Sequence, residues 1–136
     1  MQRRTFNREQ IAWAAGFYEG EGSVTISNSS DGCQRLCLQI WQSSPECLVR
    51  FREVFGIGNL GGPYRNNSGW VKHNAPLKPK YCWHISGHQP VQAIIAMMWP
   101  WLSEVRRSRA VEMLRQFRAY ESLPRYQRRR WRELLA

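Results

Sequence analysis

The sequence lacks any run of 18 apolar residues, so no membrane-crossing helix and no membrane partner are expected. Behind the basic pair Arg3-Arg4 there is no apolar stretch of the kind a secretory signal needs, and an intracellular setting is expected. Cysteine is sparse and scattered: Cys33, Cys37, Cys47 and Cys82 show no C-x₂-C spacing and no clustered histidine partners. That excludes a zinc-ribbon reading, and without a secretory route it makes free thiols the expectation rather than disulfides. His73, His84 and His88 lie too far apart to suggest a site, and no Ser/His/Asp or Cys/His nucleophile pattern is visible. Internal repeats and low-complexity segments are absent.

Acid is scarce as well. Ten Asp and Glu stand against 20 Lys and Arg, a formal net charge of +10. Such an excess favours a polyanionic partner, nucleic acid above all. The charge is uneven, since residues 101–136 alone hold ten Arg against four Glu. What the chain does have is apolar residues at 43%, seven of them Trp, which agrees with one globular domain of 136 residues.

Read in order, Asn7 is a good N-cap with Gln10 three residues on. The spacing predicts a helix from about Arg8 to Gly20. Ile11, Ala14, Ala15 and Tyr18 share one face, and Trp13, Phe17 and Gly20 a neighbouring one. Ser23 to Ser29 alternates, with Val24 and Ile26 on one side. Cys33 to Gln42 alternates again, with Leu36, Leu38 and Ile40 inward, so the two form a hairpin across the turn at 29–32. Ser44-Pro45 reads as N-cap and first position of a second helix carrying Leu48, Phe51, Val54 and Phe55. A second hairpin runs from Gly56 through a polar tip at 66–78 to a return strand with Tyr81, Trp83 and Ile85 inward. Pro90 opens a third helix and Pro100 breaks it. A fourth follows from about Ser103 to Tyr120, with Val105, Met113, Leu114 and Phe117 as apolar contacts, and a basic helical tail closes the chain.

One stretch breaks a local rule. Ala14-Ala15-Gly16-Phe17-Tyr18-Glu19-Gly20-Glu21-Gly22 ends a helix with two carboxylates, at the pole where orphan carbonyls and the dipole are already negative. A divalent cation would relieve that, and Gly20 and Gly22 suit a left-handed helix stop. These nine residues resemble the LAGLIDADG motif of homing endonucleases, with Glu at both usual Asp positions. The element order αββαββα is similar to that family's, over residues 5–120 or so.

The resemblance implies an α+β fold with a curved antiparallel DNA-binding sheet and extra C-terminal helices beyond about residue 121. It implies a site-specific double-strand DNA endonuclease. One motif copy implies a homodimer on a long pseudo-palindromic target. Mg²⁺ is the implied cofactor, with Mn²⁺ as a substitute and Ca²⁺ supporting binding without cleavage. Glu21 and the carbonyl of Gly20 would hold metal; Gln42 and Arg106 would assist catalysis, with Arg107 as the alternative register. Ala12, Ala15, Gly16 and Glu19 would face the partner subunit, Glu19 as a structural acid. The alternative is a non-catalytic binder of the same fold, an RNA-splicing maturase or a regulator. The compartment would be the bacterial cytoplasm or an organelle such as chloroplast or mitochondrion.

A polar, basic sheet face suits the major groove, where each base pair shows its own donor and acceptor pattern. The outward residues of the predicted strands are Thr25, Ser27, Ser29, Arg35, Cys37, Gln39, Arg65, Lys80 and His84. Arg35 suits guanine and Gln39 adenine; Lys72 and Lys78, on the polar tip, suit phosphate. Singly each is an ordinary solvated strand residue; beside the motif helix they make a candidate DNA surface.

Overall fold

The computed structural model describes residues 4–29, 32–65 and 78–128. Lys72, His73, the turn at 66–69 and the end of the basic tail lie outside them. The order is α1 (Arg8–Glu21), β1 (Gly22–Asn28), β2 (Gln34–Gln42), α2 (Glu46–Phe55), β3 (Asn59–Tyr64), β4 (Lys80–Ser86), α3 (His88–Met98), a 3₁₀ turn at Trp99–Trp101, α4 (Glu104–Glu121) and α5 (Arg125–Arg128). The predicted αββαββα order with extra helix is what is found.

The four strands form one antiparallel sheet in the order β1-β2-β4-β3. Helices cover one face of it. The period-2 alternation sends Val24, Leu36, Leu38, Ile40 and Trp83 into that core, where all are 2% exposed or less. They meet Phe51 of α2, Val91, Ile94 and Met98 of α3, and Met113 and Phe117 of α4. Each large side chain of this set contributes about 1.5–3 kcal/mol by leaving water. Among the described residues the opposite face of the sheet carries no helix, and it is largely polar.

The motif helix is covered on two adjoining sides. Ile11, Ala14, Ala15 and Tyr18 are buried, as their spacing predicted. The neighbouring face is covered by the chain itself: Trp13 stacks on Phe17 at 5.4 Å, Phe17 meets Phe51, and Arg50 lies over the Trp13 ring at 3.8 Å. Asn7 caps the start, its side chain accepting from the backbone of Glu9 and Gln10.

Several ends differ from expectation. Helix α1 runs through Glu21, and Gly22 follows in extended backbone (φ −85), not in a left-handed cap. Glycine is needed there for space: a Cβ on Gly22 would fall within the Tyr18 ring. Pro45, not Ser44, is the N-cap of α2, and no side chain caps that helix. A left-handed cap does occur at its other end, on Gly56 (φ 72). Helix α3 starts at His88 after Gly87, so Pro90 is its third residue, within the first turn, rather than its opening one. Val105 points to solvent at 77% exposed, because α4 turns its Ala110–Met113–Phe117–Tyr120 side to the sheet.

Candidate functional site

The C-terminal end of α1 meets three other elements. Glu21 is exposed at that end. Gln42 closes the inward alternation of β2, where the strand runs past the core and leaves the side chain half-buried. Both line one cleft of about 280 Å³ with Trp41, Ser43 and Lys80. The cleft therefore gathers the motif acid, the amide after the second strand and a lysine from β4.

Arg106 is held differently from a free catalytic base. Its guanidinium donates to the carbonyl of Glu19 from Nε at 3.1 Å and Nη2 at 2.8 Å, and to the carbonyl of Gly22 from Nη1 at 2.5 Å. It also lies over the Tyr18 ring at 5.6 Å. A cation from α4 thus occupies the negative pole of α1, part of the relief for which the sequence invited a metal. Arg107, the alternative register, turns away and donates to the carbonyls of Trp99 and Pro100. The Glu19 carboxylate reaches the other way and accepts from the Ser103 backbone at 3.4 Å, at the start of α4. Ser103 itself caps α4 by accepting from Arg106 N. The ends of α1 and α4 are therefore laced together in both directions.

Burial pushes the Tyr18 phenol up to about 12, opposed by the nearby Arg106 charge. On the outer sheet face, burial likewise pushes the Cys82 thiol up. Cys82 faces outward as its alternation predicted, yet it is buried, 4% exposed, with Trp41 and Gly61 as its cross-strand partners.

The rest of that face is wet. Register places Ser23, Gln39, His84 and Asn59 in one row across all four strands. Thr25, Cys37 and Ser86 form the next row, and Ser27 pairs with Arg35 beyond it. Lys80 pairs with Tyr64 at the other end, next to Arg65. The structure thus brings Thr25, Ser27, Arg35, Cys37, Gln39, Lys80 and His84 onto one surface. Ser23, Asn59 and Ser86 belong to the same surface and were not singled out from the sequence, although Ser23 shares the alternation of Thr25. Ser29 is the exception: it lies past the end of β1, and its hydroxyl donates to the Cys33 carbonyl at 3.0 Å in the hairpin turn.

The expected partner-facing residues divide. Gly16 is exposed, with nothing near the position of a Cβ, and Ala12 and Glu19 are half-exposed. Ala15 is 0% exposed within the protomer's own core and offers no surface to a second chain. It falls on the Ile11–Tyr18 side of the helix, about 100° from Gly16 by helical geometry. Among the described residues, no three or more His, Cys, Asp or Glu side chains cluster as a metal site.

No family model matches the sequence, and no curated protein matches it. Solved structures do. The chain is similar to the homing endonuclease I-CvuI in complex with its target in the presence of Ca, with a TM-score of 0.60 and 21% identity over 79% of this chain and 65% of that one. It is similar to the group I intron-encoded homing endonuclease I-CeuI complexed with DNA, with a TM-score of 0.56 and 19% identity over 88% of this chain and 56% of that one. It is also similar to the LAGLIDADG homing endonuclease I-GzeII in complex with its DNA target, with a TM-score of 0.58 and 18% identity over 93% and 41%. The fold of this chain is that of the LAGLIDADG homing endonucleases. The chain spans less than two thirds of the length of each of these three relatives.

Proposed function

We propose that the chain is a site-specific DNA endonuclease, dependent on a divalent metal and working as a homodimer. The observation that carries this is the single cleft shared by Glu21, Gln42 and Lys80, opening beside a polar, basic sheet face. Glu21 supplies a hard carboxylate, and Gly20 lies between the two carbonyls that Arg106 takes. These donors suit Mg²⁺, which positions water and neutralises developing charge in phosphodiester hydrolysis, with Mn²⁺ as a substitute. One protomer contributes one motif acid and one sheet; a second copy related by two-fold symmetry would supply the others and double the reading surface. The Ala12–Gly16–Glu19 side of α1 is the contact we assign to that copy. The relatives' complexes with DNA support double-stranded DNA as the substrate.

On the sheet, Arg35 and Gln39 read base edges while Lys80, Arg65 and Lys78 follow phosphate. Lys72 joins the phosphate contacts on the same ground of charge. A second reading, a non-catalytic nucleic-acid binder such as a splicing maturase acting on RNA, is favoured by one observation: every nitrogen of the Arg106 guanidinium donates to a backbone carbonyl.

The deciding experiment incubates the protein with a plasmid library carrying a randomised site, in Mg²⁺, in Ca²⁺ and in chelator. Linear product in Mg²⁺ alone is the expected result. Binding that falls steeply with salt but yields no cut in Mg²⁺ or Mn²⁺ would select the non-catalytic reading.

A further inference from the structure

Two large aromatic side chains stand on the outer sheet face and remain about half-exposed. Trp41 is 44% exposed and Tyr64 is 49% exposed, on a surface whose other residues are mostly polar or basic. Their rings lie 5.8 Å apart at 58°, a shallow V. The floor beneath is small: Trp41 pairs across the sheet with Cys82, Cys82 with Gly61, and the Tyr64 ring folds over Gly61. The V opens into a concavity of about 600 Å³ whose other walls, among the described residues, are Arg65 and Lys80.

We propose that Trp41 and Tyr64 form a stacking site for an unpaired nucleobase of a DNA strand, next to the Glu21 cleft. This rests on the nuclease reading only for the identity of the strand. The chemistry is that of single-strand binding surfaces, where aromatic faces take bases and flanking cations take phosphate. Here both parts are present: Arg65 and Lys80 rim the concavity, and among the described residues no acid lines it. A second copy of this chain is a poor occupant, because two cations per copy would be brought together. The position is specific too. Trp41 and Lys80 are also walls of the cleft that holds Glu21 and Gln42. A base lying on Trp41 therefore sets its own phosphate beside Lys80 and points the strand toward the motif acid. The site would favour DNA that is mismatched or easily unstacked at that point, since a paired base must first leave its stack.

The test titrates the full chain with labelled oligothymidylate and with a labelled mixed-sequence duplex. Trp41→Ala and Tyr64→Ala should each weaken oligothymidylate binding by at least about fivefold, while Trp41→Phe, which keeps a ring, stays within about twofold of wild type. The slope of affinity against salt should not change, because phosphate contacts remain. Both residues are half-exposed, and matching thermal unfolding curves check that the variants fold. Alanine variants that bind oligothymidylate as tightly as wild type overturn the site. So does a loss accompanied by an equal fall in salt slope, which marks a phosphate contact, or a change of oligomeric state in Trp41→Ala, which marks a protein interface. The two readings separate in the duplex arm. Oligothymidylate binding lost in the alanine variants, by a protein that neither binds nor cuts duplex, supports the stacking site and overturns the nuclease. Duplex cleavage with unaltered oligothymidylate binding in both variants overturns the stacking site alone.

Discussion

Arg106 donates to the backbone carbonyl of Glu19 through two guanidinium nitrogens, at 2.8 and 3.1 Å, and so closes the end of α1 from α4. With the third bond to Gly22, it sets where Gly20 and Glu21, the two residues between them, can sit. The role of Arg106 follows from this: it positions the motif end, and its charge offsets the carboxylates and carbonyls gathered there. Arg106→Ala should cost about 2–3 kcal/mol, as expected for half-buried hydrogen bonds from a charged donor. Arg106→Lys should recover the charge but not the fork, and so only part of the stability. Urea unfolding of the two variants checks this; equal stability of wild type and Arg106→Ala would detach Arg106 from the helix end.

Glu21 and Glu19 should separate cleanly. Glu21 is exposed and lines the cleft, so Glu21→Gln should leave unfolding unchanged and DNA binding intact while cleavage falls by roughly a thousandfold, the scale of a lost metal ligand. Removing an acid near phosphate should tighten binding rather than weaken it. Glu19→Gln loses a charged acceptor at the start of α4 and should show in stability by about 1 kcal/mol before it shows in chemistry. Full cleavage by Glu21→Gln would remove the metal assignment.

Gly22→Ala tests the reason for the glycine. The added methyl would meet the Tyr18 ring, which is itself buried against the sheet and α4. The backbone is extended there, so no strain of conformation enters, only overpacking. A loss of about 1–3 kcal/mol is expected in thermal or urea unfolding. A neutral result would mean that Tyr18 can move aside.

Gly16→Leu tests association without disturbing the protomer. Nothing lies near the position of its Cβ, so the fold should hold and the helix should gain up to about 0.8 kcal/mol of intrinsic preference. If this side of α1 meets a second copy, the leucine should shift a dimer to monomer in sedimentation. An unchanged dimer would move the interface elsewhere.

Tyr18 makes a pH prediction. Its phenol is raised from 10.0 to about 12 by burial. A raised acid holds its proton better folded than unfolded, so this contribution to stability is complete below the unfolded value. It is lost as pH rises from about 10 through 12. Tyr18→Phe should flatten that part of the stability profile, leaving a wild-type-minus-variant difference that grows by about 2–3 kcal/mol over the interval. Urea midpoints for both proteins across alkaline pH measure it, and a constant difference would argue that the phenol is not buried in solution.

Much of the architecture was readable before folding because periodicity is local. The 3.6-residue spacing of Ile11, Ala14, Ala15 and Tyr18 and the period-2 runs of β1, β2 and β4 each name their buried side without reference to any other segment. The outward set Thr25, Ser27, Arg35, Gln39 and His84 follows from the same alternation. Helix ends were less legible, since Ser44, Pro45, Gly87 and Pro90 offer competing starts whose choice depends on how the helix seats on the sheet.

By itself, then, the sequence determined the element order, the apolar faces, the basic balance and the motif that ends in Glu21. Tertiary structure alone decided what meets that end. Arg106 lies 87 residues from Glu19, and no local pattern says that a guanidinium from α4 will take the carbonyls of α1. It decided that Ala15 is enclosed while Gly16 is open, because the direction of the covering sheet and of α2 selects between adjacent small residues. It also decided that Trp41 and Tyr64 meet over Cys82 and Gly61, since cross-strand neighbours are set by register between strands far apart in the chain.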